Sequence, residues 1–106
     1  MRVMRMLVLF DLPTGSKAER KSYALFRKFL IKDGYTMEQY SVYSRVLLSR
    51  ESAETHMLRI KANLPAAGAV TVLVLTEKQF ENRAVLLHTA QKPKSVDTGS
   101  QLTLTF

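Results

Sequence analysis

Within its first sixteen residues the chain runs from an apolar strand signal, through a cluster of turn residues, directly into a helix start. Met4 to Phe10 is mostly apolar and unbroken from Met6 onward, and Asp11-Leu12-Pro13-Thr14-Gly15 ends it. That is the signature of a buried strand feeding a loop. Ser16-Lys17-Ala18-Glu19 follows at once and matches a capping box, in which the Ser side chain and the Glu side chain satisfy each other's backbone amides. The spacing predicts a helix to Asp33, stopped by Gly34 in the left-handed C-cap position.

The remaining signals repeat the pattern. Tyr35 to Leu48 is rich in Tyr and Val without Gly or Pro, which predicts two strands meeting in a tight hairpin or bulge near Tyr40-Ser41. Ser49 to Ser52 offers N-caps for a second helix ending at Leu64-Pro65, with Ala53, Met57, Ile60 and Leu64 at helical spacing. Ala69 to Leu75 is the strongest strand signal in the chain. Thr76 to Arg83 reads as a polar connection anchored by Phe80, and Ala84 to Leu87 as a further short strand. Thr89 to Ser100 has the composition of a flexible linker, and Leu102-Thr103-Leu104-Thr105-Phe106 alternates like a strand. Such a terminal strand must pair with its own sheet, a sister subunit or another protein, so Leu102, Leu104 and Phe106 are candidate partner-binding residues.

The order strand, helix, strand, strand, helix, strand defines an α+β, ferredoxin-like βαββαβ arrangement over residues 1–88. An extension over 89–106 follows, with an additional short C-terminal strand. Helices cover one face of such a sheet. Apolar candidates for the other face predict a homodimer packing through the sheets.

Charge and composition narrow the function. Taking about 100° per residue, Lys17, Arg20, Lys21, Arg27, Lys28 and Lys32 fall within an arc of about 140° on the first helix. Ala18, Ser22, Tyr23, Leu25, Phe26, Phe29 and Leu30 occupy the other side, while Ala24 and Ile31 intrude on the basic arc. Sixteen Lys and Arg against nine Asp and Glu leave a net charge of +7, which suggests a polyanionic partner. The basic arc reads either as phosphate-binding or as a solvated face that keeps a small domain soluble. Lys17, Arg20 and Lys21 are the favoured contacts, because the helix dipole also attracts an anion there. The absence of Cys removes disulfides, thiolate metal sites and a Cys nucleophile. Four glycines, at 15, 34, 68 and 99, do not form a Gly-rich phosphate loop. No apolar run reaches the ~20 residues of a membrane span. Arg2 and Arg5 imitate a signal peptide, but Asp11 and Pro13 end the run early, so a cytoplasmic protein is expected.

Asp11 is the candidate for chemistry. It ends the first strand and is readable either as a turn-forming Asp or as a ligand for Mg²⁺. A two-fold axis nearby would pair two Asp11 carboxylates. His56 and His88 lack metal-ligand companions and read as structural or surface residues, and the five Met as gap-fillers. Tyr40 and Tyr43 could stack on bases as in RNA-recognition domains of similar topology, but the aromatic signature of those domains is missing, so both read as packing residues.

These residues together resemble a known family. Met6 to Pro13 resembles the first strand and strand-end Asp of the small CRISPR-associated adaptation protein, the "Cas two" family. Gly34 to Tyr43 is similar to its second-strand motif, with Ser41-Val42-Tyr43 as the Ser-Val-aromatic core. Val70 to Phe80, ending Thr76-Glu77-Lys78-Gln79-Phe80, is similar to the form accompanying Cas9-type systems. The resemblance spans about residues 4 to 88. It implies a ferredoxin-like homodimer that works with the larger CRISPR integrase ("Cas one") to capture foreign DNA as new spacers in antiviral defence. It also implies a Mg²⁺-dependent endonuclease acting on RNA or DNA, with Asp11 binding the metal together with the Asp11 of the second protomer. Here Phe10 precedes and Leu12-Pro13 follow, so no further ligand is adjacent. A dimeric adaptor holding double-stranded DNA between integrase dimers accounts for the charge, the size and the poverty of catalytic groups. A phosphodiesterase accounts for Asp11. A small-molecule-binding regulatory module of the same topology fits the charge worst.

Overall fold

Alternation along the first strand sorts its side chains onto two faces, and everything else in the molecule is arranged around that division. The computed structural model of the chain describes residues 3–89 and, as backbone, 102–104. In order these form β1 (Met4–Asp11), α1 (Lys17–Lys32), β2 (Thr36–Gln39), β3 (Val42–Leu47) and α2 (Arg50–Ala62). Then come β4 (Ala69–Thr76), α3 (Glu77–Glu81), β5 (Leu87–Thr89) and β6 (Leu102–Leu104). The first four strands make one antiparallel sheet in the order β2-β3-β1-β4, the ferredoxin-like α+β arrangement. None of the helices among the described residues is long and apolar enough to cross a membrane.

Met6, Val8 and Phe10 of β1 share a face with Tyr43 and Leu47 of β3, and all five are buried beneath the helices. Phe26 and Leu30 of α1 and Ile60 of α2 close the core from above. Phe10 lies at its centre, edge-on to Phe26 at 5.2 Å and stacked with Tyr43 at 5.7 Å between ring centroids. The opposite face carries Leu7 and Leu9 of β1, Val42 and Val46 of β3, and Leu73 and Leu75 of β4. Among the described residues no helix covers its middle; Leu73 is 46 % exposed.

The capping box forms as expected: Ser16 Oγ accepts from the Glu19 amide, and Glu19 Oε1 accepts from the amides of Ser16 and Gly15. Gly34, at φ +95°, ends α1. That left-handed conformation is why glycine is favoured there, since a Cβ would meet only the movable tip of the Arg45 side chain.

Four expectations need correction. Leu25 is 57 % exposed, because it sits one residue step, about 100°, from Phe26 and so falls off the narrow buried stripe. Leu64 lies beyond the end of α2 and is exposed, leaving His56 and Ile60 as that helix's buried residues. The connection from Thr76 is helical: Thr76 and Gln79 form a second capping box that starts α3 and drives Phe80 into the sheet. The short strand is Leu87–Thr89 and not Ala84–Leu87. It pairs antiparallel with β6, so the terminal strand meets its own chain in a two-stranded sheet separate from the main one. Of the linker expected over Thr89 to Ser100, Thr89 belongs to β5 and the rest lies outside the described residues, as do the side chains of Leu102 and Leu104, and Phe106.

Candidate nucleic-acid interface

Asp11 is the last residue of β1 and is exposed. Its two flanks are built differently. On one side it pairs with Ala69 of β4, and the preceding Gly68, at φ +108°, approaches so closely that a Cβ would lie 2.6 Å from the Asp11 carbonyl oxygen. On the other side the turn Tyr40-Ser41 closes the β2–β3 hairpin, and the Phe10 amide donates to the Ser41 carbonyl at 3.0 Å. Register carries this further. Leu9 is opposite Val42 and the Phe10 amide meets the Ser41 carbonyl, so the Tyr40-Ser41 turn lies at the same end of the sheet as Asp11. Ser41 holds the turn at φ +64°, the left-handed region that few non-glycine residues enter.

The two Tyr residues read as packing part company here. Tyr43 is 1 % exposed and belongs to the core, whereas Tyr40 is 75 % exposed at the tip of the turn. The parity of the strand decides it. Tyr43 alternates onto the helix side, and Tyr40 has left the ladder.

The loop from Leu12 to Gly15 leads from Asp11 to the start of α1, where the basic residues begin. Lys17, Arg20, Lys21, Arg27, Lys28 and Lys32 are all exposed, and none forms a salt bridge among the described residues. Arg20 turns back to donate to the carbonyls of Thr14 and Gly15 at 3.2 and 3.3 Å, rigidifying the loop. Glu19 occupies the amides of Gly15 and Ser16, so the lysine and arginine side chains, more than the helix terminus itself, present positive charge to an anion.

Asp11 can supply one ligand to Mg²⁺, an ion commonly held by one or two carboxylates plus phosphate oxygens and water. Among the described residues no group of three His, Cys, Asp or Glu could hold a metal. One chain therefore offers a carboxylate to such a site without completing it.

Two polar clusters that the sequence reading missed brace the scaffold. At the end of α1, Asp33 accepts from His56 Nδ1 and Arg59 Nη1 of α2, both at 2.7 Å. Burial raises the Asp33 pKa, but the two hydrogen bonds and the adjacent positive charges outweigh it, and the carboxyl is held below its ordinary value. Burial also pushes the neighbouring Tyr35 hydroxyl up to about 12. The structure thus makes His56 a structural residue; His88 is exposed on β5. At the opposite end of the sheet from Asp11, Arg5 forms a two-pronged bond to Glu77 at 2.8 and 2.6 Å and also donates to Ser44 Oγ. Ser44 in turn donates to Glu38. The guanidinium groups of Arg5 and Arg83 lie 4.3 and 3.8 Å from the centre of the Phe80 ring. This cluster pins α3 over one end of the open face.

The fold and surface define a class: a small ferredoxin-like α+β domain with one basic helix face, a lone strand-end carboxylate and an open apolar sheet face. A family model described as "CRISPR associated protein Cas2" matches residues 4–83. A protein of Acidovorax ebreus named "CRISPR-associated endoribonuclease Cas2" is 55 % identical over 84 residues, covering 79 % of this chain and 82 % of that protein. Proteins of the same name from Ligilactobacillus salivarius and Streptococcus mutans serotype c (strain UA159) are 45 % and 41 % identical. The first match covers 95 % of this chain and 98 % of the relative, the second 93 % and 90 %. The chain belongs to the Cas2 family of CRISPR-associated proteins.

Proposed function

We propose that the chain is a dimeric adaptor of CRISPR adaptation: two copies join through their open sheet faces, hold foreign double-stranded DNA on the basic faces of α1, and bridge dimers of the integrase. The observation that carries this reading is the set of six exposed, unbridged cations on one helix face. A chain this small, with a single carboxylate at its strand end, has far more material for binding phosphates than for breaking them. The apolar open face supports self-association, since an exposed patch of this kind ordinarily finds a partner.

A second reading is favoured by the relatives, which are named endoribonucleases. On it, Asp11 and the Asp11 of the second protomer share Mg²⁺ and the protein cleaves RNA or DNA. A bound Mg²⁺ neutralises phosphate charge and activates water. This chain's own contribution is to hold a carboxylate at the strand end and the target phosphates on Lys17, Arg20 and Lys21.

Charge separates the two. Binding through many phosphate contacts loses affinity and salt dependence with each contact removed, the slope of log K against log salt falling by about one per contact. The combined variant Lys17→Glu, Arg20→Glu, Lys21→Glu is expected to abolish duplex binding and spacer acquisition while circular dichroism shows an intact fold. Asp11→Asn is expected to keep both and to lose any cleavage. Loss of acquisition in a folded, dimeric Asp11→Asn protein would make the nuclease the function, and normal acquisition in the triple variant would sink the adaptor.

A further inference from the structure

A large aromatic ring on a strained turn needs a reason. Two-residue hairpin turns favour Gly, Asn or Asp, which enter the left-handed region at little cost and expose little apolar surface. Here the turn is Tyr40-Ser41, with Ser41 at φ +64° and the Tyr40 ring 75 % exposed, and no aromatic ring among the described residues packs on it. Turn stability selects neither residue. Position gives the reason. The Phe10 amide ties the Ser41 carbonyl to β1 one residue before Asp11, so the turn that carries the ring is held at the sheet end where Asp11 lies. Six residues on from Asp11, Lys17 begins the basic face, its Cα no more than about 20 Å away along even a fully stretched chain. One end of the sheet thus presents a carboxylate, a free π-face and a run of cations. Phosphates need the cations, and an unpaired base needs the ring.

We infer that Tyr40 is a base-stacking residue, receiving one unpaired nucleobase of a strand whose phosphates run along the N-terminal half of α1. This rests on the nucleic-acid reading proposed above and adds to it a preference for a strand with an unpaired base. A base offers the same π-face whether it comes from RNA or from DNA, so the ligand is defined by the unpaired base. Interior duplex bases are already stacked on both sides and have no face to give.

The test measures binding of the full chain to three fluorescently labelled probes: a short oligouridylate, an oligothymidylate of the same length and a blunt duplex. Tyr40→Ala is expected to weaken binding of the single strands by about 5- to 100-fold, the range typical of one lost stack. Tyr40→Phe, which keeps the ring, is expected to bind like the unaltered protein, and duplex affinity is expected to stay within about twofold in both variants. A loss on only one single strand supports the inference and names RNA or DNA as the source of the base. Photocrosslinking of a halogenated-uracil oligonucleotide to the peptide containing Tyr40 is the direct expected readout. Unchanged single-strand affinity in Tyr40→Ala overturns the inference and leaves duplex binding standing. An equal loss on all three probes also overturns it, because a ring that merely supports the turn or a protein contact weakens every ligand alike. Failure of the unaltered protein to bind the duplex strikes the adaptor reading itself, and is seen separately from any Tyr40 effect.

Discussion

Asp33 shows how one side chain can join two helices. The residue caps α1, and its carboxylate, 9 % exposed, takes one hydrogen bond from His56 and one from Arg59. Asp33→Ala leaves both donors unsatisfied at the junction, and chemical denaturation near neutral pH is expected to show a loss of about 1–3 kcal/mol. The pH dependence has a definite sign. Because the folded-state pKa of Asp33 is lowered below 3.8, its contribution is complete above about pH 4 and disappears as pH falls through the folded-state value. The stability gap between the unaltered protein and Asp33→Ala should therefore be wide at pH 7 and narrow at pH 3. A constant gap would mean that the carboxylate's charge is not what binds the helices. The helical wheel already held the signal: Asp33 lies only about 20° from Phe26 around α1, inside the buried stripe. Its partners were illegible, because 23 residues separate it from His56 and nothing local links them.

At the scale of elements, the strands and helices that the sequence made legible are those whose signals are local. The capping box of α1 lies within four residues, and β1 and β4 show themselves as short apolar runs bounded by turn residues. The short α3 escaped because its Thr76 and Gln79 signal lies in a stretch with one apolar residue, too few to show a helical period. The junction of β1 with β4 depends on Gly68. Gly68→Ala forces a Cβ to within 2.6 Å of the Asp11 carbonyl and 2.8 Å of Leu12 Cδ2, in a left-handed conformation that alanine disfavours. The expected cost is about 1–3 kcal/mol from the backbone conformation alone. The strand end carrying Asp11 is displaced with it, so the melting temperature should fall and any cleavage that depends on Asp11 should fall too. A variant that cleaves normally despite a lowered melting temperature would mean that Asp11's position is immaterial to cleavage.

For the whole molecule, the decisive feature is that helices cover one face of the sheet and leave the other largely open. Leu73 stands near the middle of that open face, opposite Leu7 in the register. Since the side chain is already half in water, Leu73→Asp is expected to change the stability of an isolated copy little. It places a charge at the centre of an apolar contact between two copies, where an unpaired charge is costly. Sedimentation should show the unaltered chain as a dimer and Leu73→Asp as a monomer. A variant that remains dimeric would move the interface elsewhere. The Asp11 pair would then lose its basis, because a shared Mg²⁺ site needs the dyad to pass close to that strand end.

What the sequence alone determined was the strand-helix-strand-strand-helix-strand order of the first six elements, the capping of α1, the one-sided basic face and the candidacy of Asp11. Each of these rests on residues within a turn or a strand of one another, or on counting charge. Only the tertiary structure decided which residues meet across long separations. It brought Arg5 to Glu77, and it brought Asp33 to His56. It also paired the terminal strand with β5 in a sheet of its own, although alternation alone allowed several partners. The fates of Tyr40 and Tyr43 show the reason most plainly. Three residues apart in the same aromatic, β-favouring stretch, they are alike in local propensity. The ladder with β1 buries one, and the turn at Ser41 leaves the other exposed at the sheet end that carries Asp11.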